Sequence, residues 1–480
     1  MIADLKPYPA MKHSGVEWLG QVPEHWDVKP GRACVYEKRQ PNDGMVEDTV
    51  LSLSYGRIIV KPKEKLRGLV PESFETYQVV DPRDVICRPT DLQNDRTSLR
   101  FGIAKDRGII TSAYMCFGTQ EGLDGGFGHL LFHAYDLMKI FYGLGSGLRQ
   151  NLSWADFKYL PCVTPPLTEQ SAIVRYLDHM DRRVSQLVRA KRKLIALLIE
   201  QRQAAIDEIM SQDFVRRIPR NILGLPLQVQ HPRWRSLSVR HLIQTRKLEI
   251  QDGNHGELHP KASDYVEDGI PFLMANNVRP EGLNLEGCAM VAEEQAKSLR
   301  IGFAMPGDVL LTHKATIGQV SAVPVNISWP FLMLTPQVTY YRTLTPELSS
   351  EFLFWYMRSS LFQVQLRVLS LNQSTRNYIG LLEQRNLVIS FPSRVQQENA
   401  VLECHQKTYA ITEAINTART EVSLLSEYRN RLIADVVTGK LDVREAVIGL
   451  PDIDPVDAED DLDNVHIEQD SGTTLEEAEV

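Results

Sequence analysis

One repeat constrains this chain more than any other feature. A stretch near its middle recurs near its end, at a constant offset of 227 residues. PPLTEQSAIVRYL…LLIEQRQAAIDEI (165–209) is answered by PSRVQQENAVLEC…LLSEYRNRLIADV (392–436). The offset pairs Pro165 with Pro392, Gln170 with Gln397, Leu198 with Leu425, Glu200 with Glu427, Arg202 with Arg429 and Ile206 with Ile433. Upstream the offset shifts: Leu148 and Gln150 match Leu371 and Gln373, Asp84-Val85 matches Asp308-Val309, and Trp26 matches Trp234. A duplication this long is a tandem of two large units rather than a solenoid. Such a chain suits a target that itself has two parts.

The best-matched segments, 168–210 and 395–436, hold no glycine and no internal proline. In the first, Ile173, Leu177, Met180, Val184, Leu187, Leu194, Leu198 and Ala205 fall on a 4-3-4-3 spacing, with Lys191 and Gln201 as polar seam positions. In the second, Val401, Thr408, Ile411, Ile415, Ala418, Val422, Leu425, Leu432 and Val436 follow a similar seam. Sustained heptads predict coiled-coil helices of roughly 55–60 Å. The stripe is narrower than that of a helix lying on its own domain, which favours pairing of the two helices. Antiparallel pairing would give pseudo-twofold symmetry and make the helices a spacer.

Residues 15–160 and 226–390 are rich in β-branched and aromatic residues punctuated by Gly, Pro, Asn and Asp. YGRIIV (55–60), DVICR (84–88), GIITSAYMCFG (108–118), GIPFL (269–273), GDVLLT (307–312) and QVTYY (337–341) predict strands. HAYDLMKIFYGL (133–144) and SEFLFWYMRSSLFQVQL (350–366) predict helices on those sheets. The expected class is α/β (α+β): two mixed domains, 1–160 and 213–394, alternating with helical spacers, 161–212 and 395–446, and a tail, 447–480.

Charge becomes informative once divided. Residues 451–480 hold 12 Asp and Glu and no Lys or Arg, so a chain of net −8 has a body of +4 over residues 1–450. The acidic block predicts a solvated, disordered tail; the basic body permits nucleic-acid binding. Six scattered cysteines without a CxxC pair predict reduced thiols, and no long apolar run or leader-like start is present. The expectation is a cytoplasmic protein away from membranes.

Enzyme motifs are missing. Thr164-Pro165-Pro166-Leu167 is the nearest approach to a (D/N)PP(F/Y/W) methyltransferase motif and lacks its acceptor side chain and aromatic platform. It predicts instead a helix start with Thr168 as N-cap and Glu169 in the first turn. No GxGxxG or GxxxxGK[ST] occurs, and Gly439 reads as a helix stop. His255 and His259 have zincin-like spacing, but Gly253, Gly256 and Pro260 make the segment a loop, so no metal is expected. That loop, with Lys261, reads either as a presenter of donors to phosphates and base edges or as a plain turn.

PPLTEQSAIVRYLD with its long helix, the degenerate repeat, and LIADVVTGKLDVREA (432–446) resemble the specificity subunit of type I restriction-modification systems. GVEWLGQVPEHW (15–26), DVICRPTDLQNDRTSLRFG (84–102), IQDGNHGELHPKASDYVEDGIPFLMANNV (250–278) and GDVLLTHKATIGQV (307–320) look like segments of that family's target-recognition domains. The resemblance implies a non-catalytic subunit in which each recognition domain reads half of a bipartite duplex-DNA target. It also implies helices that set the unread spacer and dock two adenine-methyltransferase subunits. A restriction (translocase) subunit would join them, with S-adenosylmethionine, ATP and Mg on the partners and no cofactor on this chain. Partner contacts are then expected at Glu169, Gln170, Gln397, Glu427 and Arg429. The second repeat departs at Ser393-Arg394-Val395-Gln396, where the first has Leu167-Thr168-Glu169.

Candidate DNA contacts are Arg88, Thr90, Asn94, Arg96 and Arg100 in the polar loop after Cys87, and His255, Lys261, Asn276, Asn277, His313, Lys314 and Thr316 in the second domain. A guanidinium can bond guanine O6 and N7, and an asparagine amide adenine N6 and N7, although an arginine can equally hold phosphate. A coiled-coil scaffold whose domains bind proteins is the competing reading.

Overall fold

The computed structural model describes residues 5–54, 56–62, 73–95, 98–146, 150–210, 233–371 and 378–451. Arg96, Leu148, Gln373 and the acidic stretch from 452 onward lie outside the described residues. The chain forms two compact units: residues 1–190 with 421–480, and residues 191–420. The division falls inside both long helices, Leu167–Met210 and Arg394–Val437, each of 44 residues or roughly 66 Å.

The first unit is built on a four-stranded antiparallel sheet in the order Val35–Lys38, Met115–Thr119, Val85–Cys87, Phe101–Ile103. Val85, Ile86 and Cys87 are buried without alternation, which is why the run is continuously apolar. Helix Gly125–Leu137 follows the sheet, its N-cap Asp124 accepting from the Phe127 N–H at 3.1 Å. Phe132 of this helix clusters with Phe101, Phe117, Phe141 and Phe157, with Phe117 and Phe157 4.8 Å apart. Strand Asp27–Pro30, just after buried Trp26, pairs with Pro161–Thr164, which runs into the first long helix. The described chain ends meet here: Lys6 bridges Asp442, whose N–H donates to the Lys6 carbonyl at 2.8 Å.

The second unit repeats the frame. Its sheet runs Leu248–Asp252, Val338–Thr343, Val309–Thr312, Val320–Ala322, again antiparallel and in the same order along the chain. Helix Ser350–Arg358 follows, capped by Ser349. Strand Arg235–Ser238, just after Trp234, pairs with Val388–Phe391, which leads into the second long helix. This unit adds a five-stranded sheet containing the parallel pair Ile270–Leu273 and Leu332–Leu334.

The drifting sequence anchors fall on matching places. Trp26 and Trp234 precede equivalent strands, and Asp84 and Asp308 close equivalent turns. In Asp81-Pro82-Arg83-Asp84, the Asp84 N–H donates to the Asp81 carbonyl at 3.1 Å and its carboxylate accepts from the Asp81 N–H at 2.7 Å. In Met305-Pro306-Gly307-Asp308 the corresponding distances are 3.0 and 2.7 Å. The third residue has φ +77° in Arg83 and +86° in Gly307, the left-handed conformation a type II turn requires there. A cation satisfies each aspartate: Lys38 on Asp84 at 2.6 Å and Arg342 on Asp308 at 2.7 Å.

The long helices pair antiparallel within each unit. In the first, Arg429 meets Asp181 at 3.4 Å, and Ile173, Leu177 and Met180 share a core with Leu432, Ile433 and Val436. In the second, Lys407 meets Glu208 at 3.1 Å, while Arg202 and Arg419 both pair with Glu281. The predicted seam needs one correction. Ile173, Leu177, Met180 and Val184 are buried, but Leu187 and Leu194 are 46% and 41% exposed. After Val184 the stripe steps four residues, through half-buried Val188, Lys191, Ile195 and Leu198, to buried Arg202, Ile206 and Ile209. A strict seven-residue repeat drifts on a 3.6-residue helix, and the extra residue restores the register.

Three predicted elements are divided. Residues 108–118 form two strands, Gly108–Ile110 and Met115–Thr119. The helix over 133–144 ends at Leu137, where left-handed Lys139 starts a short 3-10 turn. The helix over 350–366 breaks at extended Ser359, because Asp207 of the first long helix caps a new helix start at the Ser360 N–H, 2.7 Å away. Thr168 is not the N-cap: the helix begins at Leu167 and the Pro166 carbonyl takes the Glu169 and Gln170 amides. Gly439 does stop the second long helix, at φ +78°. Among the described residues, no helix is long and apolar enough to cross a membrane.

Candidate nucleic-acid interface

Each unit's central sheet ends in a β-hairpin whose tip carries predicted contacts. In the first unit the described part of the tip is residues 88–95 and 98–100, closed by the Arg88 N–H on the Arg100 carbonyl at 2.9 Å. In the second it spans 313–319, closed by the Thr312 N–H on the Gln319 carbonyl at 3.0 Å. The roots match; the tips do not.

In the first tip, Arg88 and Thr90 are half-buried and Asn94 is exposed. Arg88 reaches Asp95 at 3.3 Å, and the Asn94 amide donates to the Asp91 carboxylate at 2.8 Å. Arg100 was expected at the surface and is fully buried, its guanidinium donating to the carbonyls of Arg88, Thr90, Asp91 and Asp95. It holds the loop from within, since a buried cation must find acceptors.

In the second unit the structure draws His255, His313 and Lys314 to one end of the sheet. His255 is 56% exposed and pairs with buried Asp252 at 2.9 Å. Lys314 and Thr316 are exposed beside left-handed Ala315, and Lys314 bridges Tyr378. His313 is fully buried against the Tyr378 ring, 5.4 Å between centroids. Asn276 is exposed at the same end, where the neighbouring Ala275 N–H donates to Gln337 and the Gln337 carbonyl accepts from the His313 N–H. Asn277 is buried and internally satisfied, its amide spanning the Met274 N–H and the Asn284 carbonyl. Lys261 is exposed at the start of a 3-10 turn capped by Asp264. His259 packs on Phe272, 5.4 Å away. The sequence reading missed Thr335-Pro336-Gln337, which links the two loops.

Burial holds His313 neutral, its pKa lowered to about 4 despite the opposing pull of Asp252. Between about pH 6.5 and 4 the unfolded chain takes up a proton at this position that the folded unit does not. Stability of the second unit is therefore expected to fall with pH through that window, by roughly 3 kcal/mol once fully protonated. Urea denaturation across pH 7 to 4 checks this against His313→Leu, which should flatten the dependence; equal slopes would refute it.

The predicted partner contacts divide in the same way. Gln170 is buried, accepting from the Asp124 N–H at 2.8 Å and donating to the Gly122 and Pro165 carbonyls, each at 2.8 Å. Gln397 does the same in the second unit, accepting from the Ser349 N–H at 2.9 Å and donating to the Glu347 and Pro392 carbonyls at 2.7 and 2.9 Å. Glu169 is buried between the Tyr8 hydroxyl, Trp26 Nε1 at 3.1 Å and His25 Nε2 at 2.8 Å. These three residues fasten each helix start to its own unit and present nothing outward. Glu427 is exposed, and Arg429 is half-buried on Asp181. Exposed Val395, Leu402 and Tyr409, spaced seven residues apart, form a stripe on the second long helix outside the predicted seam.

No family model and no curated protein matches this sequence. Solved structures do. A chain from a structure on complex assembly and conformational transition of the type I R-M system is 16% identical, with a TM-score of 0.53 over 88% of this chain and 99% of that one. The HsdS subunit from Thermoanaerobacter tengcongensis is 15% identical, with a TM-score of 0.39 over 88% and 98%. The type I restriction-modification S subunit from M. genitalium is 11% identical, with a TM-score of 0.35 over 86% and 96%. The likeness in fold rests on the first of these. Over most of its length, this chain shares the fold of a component of a type I restriction-modification system.

Proposed function

We propose that this chain is the DNA-specificity subunit of a type I restriction-modification assembly, each unit reading one half of a bipartite duplex target. The observation that carries this is the repeated sheet: one frame, closed at the same hairpin root, ends in two tips of different length and chemistry. Matching frames suit two copies of one partner, whereas unlike tips suit two different base sequences. Arg88, Thr90 and Asn94 on one tip and Lys314 and Thr316 on the other, with His255 and Asn276 at the same end of the second sheet and Lys261 exposed on a separate turn, offer donors to phosphates and base edges. The paired helices set the unread spacer. Their exposed faces, including Glu427 and the Val395-Leu402-Tyr409 stripe, dock two adenine-methyltransferase subunits. S-adenosylmethionine, ATP and Mg belong to the partners in this reading, and the chain itself carries no chemistry.

The test is selection from a randomised 30-base-pair duplex pool, by the chain alone and by its complex with the methyltransferase subunits of its own system. The complex is expected to enrich two short blocks separated by an invariant unread length. Absence of enrichment in both arms would leave the scaffold reading; a single contiguous block would overturn the division between units.

A further inference from the structure

The described residues of the first tip, 88–95 and 98–100, are organised around one of their number. Arg100 has no solvent exposure, and no hydrogen bond to a carboxylate is made by its guanidinium among the described contacts. It donates instead to four carbonyls, with Nε on the Tyr142 hydroxyl at 3.3 Å and the Tyr142 ring 5.4 Å from the guanidinium carbon. The fork matches this task because five N–H groups point outward in a fixed plane. The buried Asp136 carboxylate lies close and accepts from the Arg100 backbone N–H at 2.9 Å, while the guanidinium itself is committed to the loop's carbonyls, which ties the loop's shape to this one side chain.

The carbonyls of residues 88, 90, 91 and 95 point inward, and Leu92 is buried as an anchor. Asp91 is held left-handed at φ +62°, its N–H donating to the Asn151 side chain at 2.9 Å. Asn94 is exposed, and its amide nitrogen is oriented by the Asp91 carboxylate. One amide hydrogen is thereby engaged, leaving the other and the amide oxygen as a fixed donor-acceptor pair. That pair complements adenine N7 and N6 in the major groove. A preorganised contact loses less entropy on binding than a floppy one.

We propose that Asn94 reads an adenine in the first half of the target and that Arg100 is the positioning residue that presents it. This rests on the specificity-subunit reading above. The experiment is the same duplex selection, made with the methyltransferase complex carrying Asn94→Ala, Arg100→Lys or Tyr142→Phe. Asn94→Ala is expected to lower the preference for adenine at one base pair of the first block by roughly tenfold or more. Arg100→Lys, whose single ammonium cannot span four carbonyls, should erase preference across the first block. Preference at its second block should be unaltered, because that block is read by the other unit. Tyr142→Phe should weaken the first block a few-fold.

A merely structural Arg100 would lower the melting temperature and weaken binding at both blocks, with the first-block ratio unchanged; that result overturns the positioning role. Unchanged base preferences in Asn94→Ala overturn the reading role. If Arg100→Lys does not fold, Asn94→Ala and Tyr142→Phe decide, since one alters an exposed side chain and the other keeps the ring. Selection of no sequence by the unaltered complex overturns the specificity reading and this proposal with it. Selection that the variants leave untouched overturns this proposal alone.

Discussion

Gln397→Ala is expected to destabilise the second unit by about 3 kcal/mol, and Gln170→Ala the first unit by a similar amount. Each glutamine is fully buried and makes three hydrogen bonds to backbone groups. Alanine leaves an N–H and two carbonyls without partners, each worth on the order of 1 kcal/mol or more when buried. The replacement Gln→Glu separates hydrogen bonding from volume: a carboxylate can accept from the Ser349 or Asp124 N–H but faces two carbonyls with no donor. It is expected to cost at least as much as alanine near neutral pH. Urea denaturation followed by circular dichroism measures all four variants. A loss under about 0.5 kcal/mol for either alanine variant would show that the clamp contributes little.

Gly253→Ala is expected to be more damaging still. A Cβ at Gly253 would sit 1.8 Å from the Leu334 carbonyl oxygen and 2.5 Å from its carbon. Both atoms are backbone of a strand shared by the five-stranded sheet, so no side-chain rotation relieves the overlap. The second unit must shift or open, at a cost above about 4 kcal/mol. Limited proteolysis within 233–371 at ambient temperature checks this, since a native-like digestion rate would show that the close approach can relax. Gly256, also a loop glycine of that segment, meets nothing within 4 Å, and its substitution is strained only through φ +63°. Gly256→Ala is therefore the internal comparison, expected to lose about 1 kcal/mol.

Long-period features were the legible ones. The offset of 227 located both helices to within a residue of their ends, because glycine-free apolar periodicity over forty residues admits little else. The scattered anchors Trp26/Trp234 and Asp84/Asp308 proved to be equivalent positions in equivalent sheets. What escaped were local decisions made by distant partners. No sequence signal near Ser359 announces that Asp207, some 150 residues earlier, supplies a helix cap there. The site was less legible than the fold for a related reason. Arg100, His313, Gln170 and Gln397 look like surface chemistry when read as letters, yet all four are buried. Constancy across the repeat was the available hint: Gln170 and Gln397 match because both units need the same clamp. Arg100 and His313 sit in tips whose sequences do not match across the repeat.

The matched hairpin roots also bear on how such a chain can change over generations. One backbone bond, Arg88 to Arg100 or Thr312 to Gln319, closes tips that differ nearly twofold in length. Loop-closure entropy grows only with the logarithm of length, so the longer tip costs about 0.5 kcal/mol more than the shorter. Insertions at this point leave the sheet register, the helix clamps and the spacer untouched. A lineage can therefore try new tip sequences by small insertions and substitutions while inheriting a frame that already folds, and variation should accumulate at these two places faster than anywhere else in the sheets.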